Sequence, residues 1–210
     1  MTTLPFHDRT QAGEELGKAL LKYTAEPDTL ILALVRGGVV IGRAVADVLD
    51  LPLYPYIVRK LGHPGHREFG LGAIAEGGAT YLNEAAMIWN DLHWQDMEPV
   101  IEEETAEMER RRAAYMVEAR PPLAGKTILL TDDGAATGST LFAAIDDLRK
   151  AKVKKIIVAL PVAAPDTAEE LRKRADEVVI LATPSPFNAV GQWYLEFPQV
   201  EDAEVLQTLR

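Results

Sequence analysis

Short apolar runs alternate with amphipathic stretches along most of this chain. The apolar runs have the composition of strands buried on both faces, and the predicted strands span 29–35, 53–58, 126–132, 155–160 and 177–182. The amphipathic stretches carry apolar residues at helical spacing, and the predicted helices span 10–23, 39–49, 138–150 and 166–175. Strands that alternate with helices predict an α/β fold with a mainly parallel sheet flanked by helices. Ligands of such sheets bind at the carboxyl ends of the strands.

The middle of the chain departs from this alternation. Residues 62–70 are rich in glycine, histidine and charge, which predicts a loop, and residues 72–83 predict short strands around a Gly77-Gly78 turn. Residues 95–118 form the longest predicted helix, with Ile101, Met108 and Tyr115 recurring every seven residues. Its charges predict a solvated face.

Composition and charge narrow the function classes. A length of 210 residues predicts one domain, with room for an elaborated lid. The net charge of −10 argues against nucleic acid or an anionic membrane as a partner, because both would repel the chain. The absence of cysteine excludes disulfides and thiolate metal sites. The chain starts without the pattern of a secretory signal and contains no apolar run of membrane-spanning length, so we expect a cytoplasmic protein.

The loop after the predicted strand 126–132 has almost no side chains. Small and hydroxylated residues fill it: Gly134, Ala135, Ala136, Thr137, Gly138, Ser139 and Thr140. It leads into a predicted helix N-terminus, where unpaired N–H groups and the helix dipole favour an anion. The loop lacks the Gly-Lys-Ser/Thr of a P-loop and the G-x-G-x-x-G of a dinucleotide site. It therefore predicts a phosphate site of another kind.

Two adjacent carboxylates, Asp132 and Asp133, precede this loop and form an acid pair. Beside a phosphate they would repel the ligand unless they accept hydrogen bonds from hydroxyls or face a cation. A vicinal diol such as ribose O2 and O3 suits them, so the predicted ligand is a ribose 5-phosphate unit. The structural alternative is an Asx turn followed by a helix cap.

Three segments together carry a family resemblance. The segment "ILLTDDGAATGST" resembles the signature with which type I phosphoribosyltransferases bind phosphoribosyl pyrophosphate (PRPP). The segment "ALVRGG" (33–38) resembles their pyrophosphate loop, and "VRKLGHPGHREFGLGAI" (58–74) resembles the Arg-Lys strand end and mobile catalytic loop of the orotate and adenine enzymes. The resemblance covers about residues 29–183, and the whole chain is most similar to a bacterial group of predicted phosphoribosyltransferases without an assigned acceptor.

The resemblance implies an enzyme and a cofactor. The reaction would transfer the phosphoribosyl group of PRPP to a nitrogenous acceptor, a base or related compound, with release of pyrophosphate, as in nucleotide and nucleoside metabolism. Mg²⁺ would bind together with PRPP and without direct protein ligands. The implied architecture is a single domain over 1–210 with a small hood or lid from 80–120 and 184–210. Dimers are common in the family, so the resemblance allows a homodimer.

The resemblance also implies residue roles. Asp132 and Asp133 would hold the ribose diol, directly or through water on the metal. The 5-phosphate would bind to the N–H and O–H groups of Ala135, Ala136, Thr137, Gly138, Ser139 and Thr140. Pyrophosphate would face Arg36, Gly37 and Gly38, in a loop that often contains a non-proline cis peptide and whose two glycines would permit an unusual backbone. The implied catalytic residues are Arg59, Lys60, His66 and Arg67, the last two on a lid loop that also holds His63.

The acceptor is the least determined part. The 6-oxopurine enzymes have an acidic residue where this chain has Ala136, which disfavours hypoxanthine, guanine and xanthine. The aromatic residues Phe187, Trp193 and Tyr194 predict an acceptor pocket by stacking, and the alternative is that they anchor a C-terminal segment. Two other functions stay open: a PRPP-sensing regulator without turnover, and a phosphosugar-binding protein of different chemistry. Retention of Arg59, Lys60 and the lid favours the enzyme.

Overall fold

The computed structural model describes residues 3–115 and 120–209. Two compact units can be distinguished. The first contains Met1–Tyr56, Pro122–Gly138 and Lys152–Arg210, and the second contains Ile57–Pro121 and Ser139–Ala151. The single-domain architecture with a hood stays a prediction.

The helices and strands are numbered in chain order. The strands are β1 (Thr29–Leu34), β2 (Leu53–Tyr56), β3 (Val58–His63), β4 (His66–Ala75), β5 (Thr80–Leu82), β6 (Thr127–Thr131), β7 (Lys155–Val162) and β8 (Glu177–Ala182). The helices are α1 (Arg9–Ala19), α2 (Gly38–Leu49), α3 (Glu84–Trp89), α4 (Trp94–Ala114), α5 (Ser139–Lys150), α6 (Pro165–Arg174) and α7 (Asp202–Thr208). Short 3₁₀ turns lie at Leu21–Tyr23 and Val190–Trp193.

The first unit is built on a five-stranded sheet in the order β2-β1-β6-β7-β8, with every pair parallel. All six residues of β1 are buried, as its continuous apolar run predicted. Helix α2 contacts β1, β2 and β6, while α1 contacts β7 and β8. The predicted α/β class with a parallel sheet is therefore confirmed. One predicted strand, 53–58, is divided, because β2 ends at Tyr56 and Val58 already begins β3.

The second unit contains an antiparallel sheet in the order β3-β4-β5. The predicted loop at 62–70 is wrong, because this segment forms the outer half of a β3–β4 hairpin in which His63 pairs with His66 across Pro64-Gly65. Residues 66–70 of β4 are exposed and residues 71–75 are buried. The polar side chains of residues 66–70 are therefore solvated. The composition of this outer ribbon resembles that of a loop although its backbone is paired. The predicted strands at 72–83 and their Gly77-Gly78 turn are confirmed.

Helix α4 confirms the long helix of the second unit, although part of the predicted span, 116–119, lies outside the described residues. Its buried residues include Met97, Val100 and Met108, and it contacts β3 and β4. The other face is charged. Hydrogen bonds from Arg110 and Arg111 hold the pKa of Glu107 down to about 2.

A carboxylate at the amino end of the parallel sheet makes stability depend on pH. Glu177 accepts hydrogen bonds from Lys22 (2.5 Å), Tyr23 (2.5 Å) and Lys155 (2.9 Å). Burial opposes its ionisation, but these hydrogen bonds outweigh burial and lower its pKa from 4.5 to about 2. Because the folded-state pKa lies below the unfolded one, the stabilisation is complete above pH 4.5 and is lost as pH falls toward 2.

We therefore expect Glu177→Gln to lower the free energy of unfolding by about 1–2 kcal/mol at neutral pH, after allowance for solvent screening. Urea unfolding at neutral pH and near pH 3 measures the difference from the unaltered chain, which should shrink in acid. Glu170→Gln, which removes an exposed pair with Lys173, is the matched control and should change little. An equal loss at both pH values would contradict the assigned linkage.

Candidate active site

The carboxyl ends of two adjacent parallel strands define the candidate site of the first unit. Strands β1 and β6 pair in register up to Ala33 and Thr131. The segment 35–38 follows one strand and the segment 132–138 follows the other. Parallel pairing thus brings the predicted pyrophosphate loop and the acid pair to the same edge of the sheet.

The two glycines after β1 allow the backbone to approach the acid pair. A Cβ on Gly37 would lie 2.1 Å from Asp133 Oδ2, and a Cβ on Gly38 would lie 2.9 Å from Asp132 Cα. Gly37 itself has ordinary helical angles, with φ −58° and ψ −36°. The expectation that glycine permits an unusual backbone is therefore wrong at Gly37, where close contact is what requires it. The Val35–Arg36 peptide is cis, as the resemblance implied.

Asp133 is held by a buried arginine that the sequence analysis missed. Its Oδ2 accepts a hydrogen bond of 2.9 Å from Arg9 Nε, and the two side chains are 16% and 8% exposed. Its backbone carbonyl accepts a hydrogen bond of 2.6 Å from the Tyr194 hydroxyl, and its N–H donates to Asp132 Oδ1 at 2.9 Å. The acid pair is thus tied to the start and to the end of the chain.

A signal for Arg9 existed in the sequence. Arg9 lies on the buried face of α1 together with Ala12, Gly13 and Leu16, at helical spacing. A charged residue on an apolar face needs a buried partner. The partner is 124 positions away, so the pattern could not identify it.

The small-residue loop is anchored on one side by β7 and α6. Ala135 N–H donates to Val162 O at 3.0 Å, and Ala135 O accepts from Ala164 N at 2.8 Å. Thr167 Oγ1 donates to Ala136 O at 2.5 Å. The amide of Ala135 is thus engaged within the protein, which corrects its predicted role as a phosphate donor. Gly138 has φ +75°, a left-handed conformation that favours glycine.

Tyr194 packs inside the first unit. Its ring lies 5.7 Å from that of Phe6 and 5.0 Å from that of Phe197, measured between centroids. Burial raises the pKa of its hydroxyl, so the hydroxyl stays protonated and donates to Asp133. Phe187 and Trp193 pair at 5.9 Å and pack against the core. These contacts match the alternative interpretation, in which the aromatic residues anchor the C-terminal segment.

An open cavity of about 360 Å³ lies beside the predicted pyrophosphate loop. Its lining residues are Arg9, Arg36, Gly37, Phe197, Pro198, Gln199 and Val200. Arg36 forms ion pairs across 3.2 Å with Glu201 and 3.5 Å with Asp202. Two guanidinium groups at this cavity suit an anionic ligand.

The predicted catalytic residues lie on the β3–β4 hairpin of the second unit. Arg59 bonds to Glu104 through Nε at 2.7 Å and Nη2 at 2.6 Å, and Arg67 pairs with Glu103. Lys60 and His66 are exposed. The two glutamates of α4 were not singled out as site residues, because their charge run also fits a solvated helix face.

Two features are absent from the described residues. Residues 3–115 and 120–209 contain no group of three or more histidine or acidic side chains that could hold a metal ion. No helix in this part of the chain is long and apolar enough to span a membrane.

The sequence matches one protein family and curated relatives. The family model for the phosphoribosyl transferase domain matches residues 7–192. The "Putative phosphoribosyl transferase Rv0571c" of Mycobacterium tuberculosis is 38% identical over 205 residues, which cover 97% of this chain and 46% of that protein. This chain thus spans about half the length of the curated relatives that it matches.

Solved structures share the fold. TT1426 from Thermus thermophilus has a TM-score of 0.79 and 36% identity, and the match covers 98% of each chain. AQ2163 from Aquifex aeolicus has a TM-score of 0.54 and 15% identity over 87% of this chain and 78% of its own, which shows the fold alone. With its family match over residues 7–192, this chain belongs to the phosphoribosyl transferase domain family.

Proposed function

We propose that this protein binds PRPP together with Mg²⁺ and transfers its phosphoribosyl group to a nitrogenous acceptor, releasing pyrophosphate in nucleotide metabolism. The observation that carries the proposal is the contact between the glycines after β1 and the acid pair after β6. It supports joint binding of a pyrophosphate and its adjoining ribose. As an architecture we propose a single domain with hood elements from 80–120 and 184–210.

Asp132 and Asp133 are assigned to the ribose diol. Carboxylates accept hydrogen bonds from hydroxyls and from the water shell of a hard cation, so the donor set fits Mg²⁺ carried by the substrate. Bound Mg²⁺ would offset charge on the leaving pyrophosphate. The protein's own contribution is to orient the sugar so that the anomeric carbon is accessible to the acceptor.

The 5-phosphate is assigned to the loop from Ala136 to Thr140. Ser139 and Thr140 open helix α5, whose first N–H groups lack acceptors within the helix. The loop supplies hydroxyls from Thr137, Ser139 and Thr140. Ala135 supports this loop through its bonds to β7 and α6 rather than as a donor.

Pyrophosphate is assigned to Arg36, Gly37 and Gly38. Arg59 and Lys60 are assigned to neutralise the charge that develops as pyrophosphate leaves. His66 and Arg67 are assigned to a lid that closes over PRPP and excludes water. The exposure of Lys60, His66 and Arg67 on a solvated ribbon supports a role in binding rather than in packing. A PRPP-sensing protein without turnover would have less need of these positively charged side chains, because no pyrophosphate leaves in its site.

The side chain at Ala136 limits the acceptor. An alanine side chain neither accepts a proton nor forms a hydrogen bond, so it cannot serve purine N7. The 6-oxopurines are therefore disfavoured, and other bases and amines are the first acceptors to test.

One prediction concerns the ion pairs of Arg36. Glu201 and Asp202 compete with an anionic ligand for its guanidinium group. We expect the double variant Glu201→Gln, Asp202→Asn to bind pyrophosphate about 2–5-fold more tightly, the gain typical of exposed ion pairs. Calorimetric titration measures it, with Glu169→Gln, Glu170→Gln on α6 as the matched change of charge. Weaker binding by the first variant would contradict the competition.

Titration calorimetry with PRPP and Mg²⁺ tests the proposed function. We expect saturable binding to one site, and absence of binding would overturn the assignment. Pyrophosphate release should then be followed across a panel of bases and amines, with no acceptor as the blank. Release that depends on an acceptor supports transfer, whereas binding without release from any acceptor favours the sensor.

A further inference from the structure

Arg9 connects the acid pair to the C-terminal segment through a buried guanidinium group. Its Nε donates to Asp133 Oδ2 at 2.9 Å and its Nη1 donates to Pro198 O at 2.7 Å. Its Cζ lies 3.7 Å from the centroid of the Phe197 ring. These contacts hold the planar group in one orientation against Asp133.

The charge of Asp133 poses a problem for the proposed substrate. PRPP is strongly anionic, and a second carboxylate beside Asp132 would repel it. Arg9 supplies a compensating charge within hydrogen-bond distance, and the small exposure of both side chains limits screening by water. The acid pair together with Arg9 carries a formal charge of about −1 instead of −2.

Asp133 is also fixed by its other neighbours. A Cβ on Gly37 would lie 2.1 Å from Asp133 Oδ2 and 3.1 Å from Arg9 Nε, so there is no room for a side chain at this position. Tyr194 donates to the carbonyl oxygen of Asp133. The Arg9–Asp133 pair therefore contacts the pyrophosphate loop directly, and a change in one reaches the other.

We propose that Arg9 is a positioning residue that neutralises Asp133 and orients its carboxylate, so that the site admits an anionic sugar phosphate. This inference rests on the proposed binding of PRPP. The proposal gives Arg9, in the first turn of α1, a role in the site. The sequences of the acid pair and of the small-residue loop do not indicate this role. Arg9 acts through Asp133 and does not itself need to touch the substrate.

Substitution of both partners tests the role. Arg9→Gln should weaken PRPP·Mg²⁺ binding about 30-fold at low salt, because it leaves an uncompensated carboxylate in the site. The double variant Arg9→Gln, Asp133→Asn should bind more tightly than Arg9→Gln alone, because the uncompensated carboxylate at position 133 is removed.

Two further variants separate charge from folding. Arg9→Lys keeps the positive charge but lacks the planar guanidinium group. We expect its affinity for PRPP·Mg²⁺ to stay within about 5-fold of that of the unaltered chain. Arg43→Gln removes the same charge from an exposed pair with Asp47 in the first unit and should leave binding unchanged. Melting temperatures of all variants report the structural effect separately.

The outcomes are distinguishable. Unaltered binding by Arg9→Gln, or a double variant Arg9→Gln, Asp133→Asn that binds no more tightly than Arg9→Gln, would overturn the role of Arg9 alone. If Arg9→Gln does not fold, a loss of about 100-fold in Arg9→Lys would overturn it. Failure of the unaltered chain to bind PRPP would overturn the proposed function, and this inference with it.

Discussion

Asp132→Ala is expected to weaken PRPP·Mg²⁺ binding about 100-fold, the effect of losing two hydrogen bonds to a charged acceptor. The substitution removes one of the two carboxylates assigned to the ribose diol and keeps both side chains of the Arg9–Asp133 pair. It also removes the acceptor of the Asp133 N–H, at 2.9 Å, so some loss of loop order should accompany it. Titration calorimetry measures the affinity, and circular dichroism checks the fold.

Asp47→Ala is the matched control for this experiment. Asp47 lies on α2 in the same unit, its side chain is 65% exposed, and its partner is Arg43 one helical turn away. Its removal changes the net charge equally and should leave the affinity for PRPP unaltered. An Asp132→Ala protein that is folded and binds like the unaltered chain would remove the acid pair from the site assignment.

Gly37→Ala is the second prediction with a large effect. The added Cβ would lie 2.1 Å from Asp133 Oδ2, a distance that requires the loop or the Arg9–Asp133 pair to move. Overpacking of this kind costs about 1–3 kcal/mol, so we expect a loss of about 10–100-fold in PRPP affinity or an equivalent loss of stability. Affinity and melting temperature should be measured on the same preparation.

Gly70→Ala provides the comparison for Gly37→Ala. A Cβ on Gly70 would meet no atom within 4 Å, so the same change of residue type adds a methyl group without a clash. We expect PRPP affinity and melting temperature to stay close to those of the unaltered chain. If both variants behave alike, the close approach at Gly37 is not what requires glycine there.

The parallel sheet could be predicted because each of its strands has a local signature. A strand buried on both faces is largely apolar, so β1 and β6 are visible as nearly continuous apolar runs without knowledge of their neighbours. Parallel strands need long connections, and the amphipathic stretches between them supply these. The bounds of β8, Glu177–Ala182, match the predicted span 177–182.

The β3–β4 hairpin could not be predicted in the same way. The outer part of its ribbon is exposed, so no apolar alternation marks the segment 66–70. Gly62 suggested a loop, but a Cβ there would lie 2.2 Å from Arg67 O, which shows that the glycine accommodates the paired strand. Pro64-Gly65, the turn between the strands, was the available signal for a hairpin.

The order of residues along the chain determined the alternation of strands and helices, the loop of small residues after two acids, and the resemblance that these carry. Such features are local, since each depends on neighbours within one strand, loop or helix turn. Only the tertiary structure decided that Arg9 compensates Asp133, that Tyr194 donates to the backbone beside it, and that Gly37 is needed for contact. These contacts depend on burial and charge between residues that are far apart in sequence. The sequence pattern is compatible with many partners for each residue, and only packing selects one.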